Sequence, residues 1–194
     1  MTLIRVNPES VRGYGRQAQT AFESMHQSLV EMVNDVVAVR YFGPNAVAFK
    51  TGCGRMSADF ANRLHLDMAA MADAVRQSTS NIANSLGGQP IHIQIDNRPI
   101  TPPVPQTVDY VDVDTAALES MVPVVGRRFA QLRQGLTTNF QRLQATDWEG
   151  NAKLAAIDAV GGFTTSAHAK CDEAEQALTA YITRQVQRVV AADR

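Results

Sequence analysis

Sliding the chain along itself by 107 residues superposes two long apolar stripes with no insertion. The first runs Val11, Gly15, Ala18, Phe22, Met25, Leu29, Met32, Val36 and Val39; its counterpart runs Leu118, Val122, Val125, Phe129, Leu132, Leu136, Asn139, Leu143 and Thr146. Spacings that alternate four and three put each set on one face of an α-helix, as in a coiled-coil seam, with Asn139 as a polar interruption. A second pair of stripes follows. Phe49, Cys53, Met56, Phe60, Leu64, Met68, Met71, Val75 and Ile82 are answered by Ala156, Val160, Phe163, Ala167, Cys171, Glu175, Leu178, Ile182 and Val189. Between the stripes the same offset carries Tyr41-Phe42-Gly43 onto Trp148-Glu149-Gly150. Self-similarity at a fixed offset predicts two copies of one helical hairpin.

Helix boundaries follow from caps and breakers. Asn7 before Pro8 makes an N-cap and first-turn pair, and Asp114, one offset on, is another favoured cap. Gly87-Gly88 and Pro90 close the second helix. Four helices are expected, at roughly 8–39, 45–86, 115–146 and 151–192. Pro123 conflicts with the third, since it removes a helical N–H, and a kink or a later start is expected there. The organisation is a first hairpin at 1–86, a Pro-rich extended linker at 87–113 and a second hairpin at 114–194. The alternation Ile91-His92-Ile93-Gln94-Ile95 predicts a strand-like segment with one face on the helices.

A hairpin with a single apolar seam cannot hide that seam alone, so the two copies are expected to pair intramolecularly as an all-α four-helix bundle. The linker reaches on the order of 90 Å when extended, and the helices are roughly 45 to 60 Å long. Antiparallel docking, with the two turns at opposite ends, is therefore within reach.

Charge and composition narrow the function. Eighteen basic residues are scattered among nineteen acidic ones, for a net charge of -1, which excludes an electrostatic footprint for nucleic acid. The N-terminus lacks the apolar core of a secretory signal, and no apolar run is long enough for a membrane span. His26, His65, His92 and His168 share no ligand spacing and fit solvated faces; Asp112 and Asp114 fit a linker end and a helix cap. Gly52-Cys53-Gly54 lies inside a helical pattern and reads as close packing. Cys53 and Cys171 fall on seam positions as buried thiols, with a disulfide between them as the alternative. No metal site, cofactor or catalytic constellation emerges, so the chain is expected to be non-enzymatic. Met56, Met68 and Met71 are core fillers on this reading, and membrane activity is the weaker alternative.

The turns Tyr41, Gly43, Trp148 and Gly150 carry a resemblance. Tyr41-Phe42-Gly43-Pro44-Asn45-Ala46-Val47-Ala48-Phe49 is similar to the W-x-G-x-x-A-x-x-F pattern of the Trp-Xaa-Gly (WXG, ESAT-six-like) family of type VII, or ESX, secretion, with tyrosine in the tryptophan place. Trp148-Glu149-Gly150 restores the tryptophan, while Lys153 and Ala156 replace the alanine and phenylalanine. The resemblance covers both copies and implies a secreted or cell-surface helical protein, exported without a cleaved signal, that binds the secretion machinery or a co-secreted partner. The family's Y-x-x-x-D/E export signal has its nearest match at Tyr181 and Gln185, where glutamine stands in the acidic place. That departure leaves a second reading open, a cytoplasmic chaperone or adaptor escorting a larger effector.

Overall fold

The computed structural model describes residues 3–96 and 98–193. Among them the chain is mostly helical: α1 (Pro8–Ala38), α2 (Pro44–Ser80), a 3-10 turn at Ala83–Leu86, α3 (Thr115–Ala145) and α4 (Asn151–Ala192). Two antiparallel strand pairs complete it. β1 (Arg5–Val6) pairs with β4 (Trp148–Glu149), and β2 (Tyr41–Phe42) pairs with β3 (Asp112–Val113).

The chain divides into two compact units, and each takes part of all four helices. Unit 1 comprises Met1–His26, Leu64–Asn97 and Arg133–Ala169; unit 2 comprises Gln27–Arg63, Arg98–Leu132 and Lys170–Arg194. The core of unit 1 includes Phe22, whose ring centre lies 6.1 Å from that of Phe163, with Met68, Leu136, Leu143 and Val160. In unit 2, Phe60 and Phe129 meet at 5.1 Å beside Leu29, Met32, Leu118 and Leu132. Cutting one such leucine to alanine costs about 2–5 kcal/mol. The stripes on α1 and α3 are buried throughout except for Val122. Asn139 is buried with them, as is Tyr14, whose phenol is pushed up to about 12 by burial.

The expected caps form. Asn7 Oδ1 accepts the Ser10 N–H at 3.2 Å, and Asp114 Oδ1 accepts the Ala117 N–H at 2.9 Å. Asp114 therefore starts α3 at Thr115, and the later start anticipated from Pro123 does not occur. Pro123 lies inside the helix on an exposed face, at the cost of the bond to the Glu119 carbonyl.

α2 stops at Ser80, short of the expected residue 86. The chain tightens instead into the 3-10 turn, which Gly87 closes at φ 82° with its N–H on the Asn84 carbonyl.

No strand forms at 91–95; its polar backbone groups go to side chains instead. In unit 1 the Ile91 N–H donates to Thr79 Oγ1 at 2.8 Å, and the Gln94 N–H to Gln19 Oε1 at 2.7 Å. Ile91 and Ile93 are buried while His92 and Gln94 are exposed, so the alternation does set which side faces the helices. In unit 2 the linker is pinned at Ile100, whose N–H and carbonyl bond to the Asn62 amide at 2.8 and 3.0 Å.

Candidate functional site at the two turns

Each turn is built the same way from the backbone upward. The Tyr41 N–H donates to the Val39 carbonyl at 2.8 Å, and the Trp148 N–H to the Thr146 carbonyl at 2.8 Å. Gly43 at φ 117° and Gly150 at φ 122° then reverse the chain in a region that side-chain-bearing residues avoid. Both glycines cap the helix that follows, their carbonyls accepting from Val47 at 3.1 Å and Leu154 at 3.2 Å. The missing side chain also admits an arm of chain. A Cβ on Gly43 would lie 3.2 Å from Val111 Cγ2, and one on Gly150 would lie 3.6 Å from Ile4 Cγ1.

Those arms are the residues before α1 and α3, and they lie on the turns in the same register. Val6 faces Trp148 in unit 1, and Val113 faces Tyr41 in unit 2. The Asn7 N–H reaches the Asp147 carbonyl at 2.9 Å, and the Asp114 N–H reaches the Arg40 carbonyl at 3.0 Å. Every one of these pairs maps onto the other through the 107-residue offset. An ion pair flanks each joint, Arg5 with Asp147 at 3.6 Å and Arg40 with Asp112 at 3.1 Å.

The aromatics are treated differently. In unit 2 the buried Tyr41 ring tilts against Phe49 at 5.9 Å, and Phe49 stacks on Tyr181 at 5.6 Å and 6°. Gln185 Nε2 donates to the Tyr41 hydroxyl at 2.7 Å. Tyr181 needs Gly52, because a Cβ there would collide with its hydroxyl. The residues singled out as a degenerate export signal thus lie against the first turn. Lys50, nearly buried, places its ammonium 4.8 Å from the centre of the Phe42 ring, and burial holds it below the ordinary lysine value. The ring face offsets part of that desolvation.

In unit 1 the offset puts Ala156 where Phe49 stands, and Ala74 and Ser78 where Tyr181 and Gln185 stand. Trp148 is buried, but its indole N–H has no hydrogen-bond partner. Beside it opens a cleft of about 540 Å³ lined by Ile4, Ser78, Asn81, Ile82, Trp148 and Asn151 among its residues. Lys153, the departure from the expected alanine, donates to the Gln144 and Thr146 carbonyls at 3.0 and 2.7 Å and so caps the end of α3.

The remaining candidates resolve simply. Cys53 and Cys171 are buried thiols, so the alternative of a disulfide between them is not formed; burial pushes the Cys53 thiol up to about 12, which disfavours the thiolate that oxidation requires. Asp112 pairs with Arg40 and Asp114 caps α3. Gly52-Cys53-Gly54 is wholly helical, with Gly54 against Pro102. Met68 and Met71 are core residues. Among the described residues no three His, Cys, Asp or Glu side chains stand together as metal ligands, and no helix is long and apolar enough to cross a membrane.

Besides the strand pairs and the Phe49–Tyr181 stack, two further groupings have no signal in the sequence. One is Arg128, which bonds Glu31 at 2.5 Å and Asp35 at 3.0 Å in unit 2. The other is the contact of His26 with His65 in unit 1. Neither has a local spacing to betray it. Compared with protein-family models, curated proteins and solved structures, the chain matches none.

Proposed function

We propose that the chain is a non-enzymatic, type VII (ESX) secretion-associated protein made of two fused WXG-like hairpins, 1–86 and 114–194, docked antiparallel as a four-helix bundle across the 87–113 linker. The observation that carries this reading is the equivalence of the two joints: each aromatic-Xaa-Gly turn receives the arm of the other copy, in one register. Two separate hairpins meeting turn to arm would form the same contacts, so fusion replaces association of two chains by an intramolecular step. Protein binding through the helical surface, at a secreted or cell-surface destination, is the activity this suggests. The experiment is export from cells with and without the secretion ATPase. Extracellular protein should disappear in the mutant, and unchanged extracellular levels contradict the proposal.

A second reading, an intracellular adaptor that leaves export to a partner, draws on one specific contact. Tyr181 is stacked on Phe49 and Gln185 is bonded to Tyr41, so the nearest match to an export signal is already occupied within the chain. Co-purification of a larger effector from the cytoplasm would favour this reading over the first.

A further inference from the structure

In unit 1 the linker segment 91–96 straps α1 and α2 over a cavity of about 340 Å³ whose lining includes Phe22, Glu23, His26, His65, Met68 and Asp96. The two imidazoles meet edge to face, with ring centres 5.3 Å apart. His65 is more than nine-tenths buried, and neither of its ring nitrogens has a hydrogen-bond partner; His26 Nδ1 is also buried and unpartnered. His26 Nε2 stands 3.9 Å from Asp96 Oδ2, at the end of the strap. A proton on His26 therefore has a carboxylate beside it, whereas a proton on His65 is bonded to no acid.

We infer that His26 and His65 form a proton-operated latch on the strap: with at most one of them charged, 91–96 is held closed, and with both charged it is released. Two imidazolium ions at this separation repel, and burial deprives the second of its hydration. Burial is the largest influence holding His65 below the ordinary histidine value; His26 adds to it and Asp96 opposes it. The ionisable groups facing the cavity are Glu23 and His26 from α1, His65 from α2 and Asp96 from the strap; no described residue of α3 or α4 lines it. Because the folded value lies below the unfolded one, the stabilisation is complete above the ordinary value of 6.5 and is lost as the pH falls through the lowered value. The bonds that hold the strap include those of the Ile91 amide to Thr79, of the Gln94 amide and carbonyl to the Gln19 side chain, and the Asp96 carboxylate beside His26; its segment has no helical ladder of its own, so it opens before the helices. Release uncovers Ile91 and Ile93, along with the Phe22 and Met68 walls of the cavity.

The test is amide hydrogen exchange on the full chain from about pH 7.5 to about pH 4.5, across the histidine range and corrected for intrinsic rates. The Gln94 amide should lose on the order of tenfold of its protection as the pH falls below 6.5, the mark of a local opening of the strap. The Ile100 amide, bonded to Asn62 outside the lining of the cavity, is the internal control and should hold. Equal loss at both amides, or none at Gln94, overturns the latch on the unmodified protein alone. His65→Phe keeps a ring but removes the charge, so its Gln94 protection should become insensitive to acid. An unaltered fall in that variant also overturns the latch.

Discussion

The joint of unit 1 and the joint of unit 2 share backbone, register and caps, but their charges are exchanged. In unit 1 the arm is basic and the turn acidic, Arg5 with Asp147; in unit 2 the arm is acidic and the turn basic, Asp112 with Arg40. An arm laid on its own copy's turn type would set Arg5 against Arg40 and Asp112 against Asp147. Under the proposed pairing of two copies, the exchange disfavours like with like. Both pairs are largely solvent-exposed, so each contributes little to stability. The second difference lies in the sealing of the turn. Tyr41 is closed by Phe49, Tyr181 and Gln185, whereas Trp148 has a cleft beside it and no acceptor for its N–H.

This comparison can be broken most forcefully at Trp148. If its ring alone seals the second turn, Trp148→Ala should cost about 3–5 kcal/mol in urea unfolding; a loss under about 1 kcal/mol would mean that the seal lies elsewhere. Next come the glycines. Gly43→Ala and Gly150→Ala should each lose about 1–3 kcal/mol from the strained φ. Gly43→Ala should lose more, because its Cβ meets Val111 at 3.2 Å while that at Gly150 meets Ile4 at 3.6 Å. The reverse order would show that the two arms do not approach their turns as described. The smallest effect belongs to the charges. Arg40→Asp should loosen the joint, adding Asp112→Arg should restore it, and the difference should fade in about 1 M salt; thermal midpoints of the three proteins at low and high salt test this. No restoration would deny the exchange its role.

Much of this was legible because helices advertise themselves through period and caps. The stripes from Val11 to Val39 and from Leu118 to Thr146 are the buried faces of α1 and α3, and Asn7, Asp114, Gly43 and Gly150 act where their chemistry suggested. The second helix was overextended because apolar spacing runs on through Ile82, while the chain narrows to a 3-10 turn from Ala83 before Gly87 closes it. The strand pairs left no trace, since two residues carry no periodicity and their partners lie more than a hundred positions away for β1 and about seventy for β2. The aromatic pair Phe49 and Tyr181 and the histidine pair were hidden for the same reason. Only the tertiary fold brings these residues together, and each alone reads as an ordinary helix position.

The central claim is that each copy's arm is bonded to the other copy's turn. Scalar couplings across hydrogen bonds, measured by NMR on the labelled full chain, address it bond by bond. The account predicts that the Asn7 N–H couples to the Asp147 carbonyl and the Asp114 N–H to the Arg40 carbonyl. Coupling in neither pair, or coupling of either amide to the turn of its own copy, would contradict it.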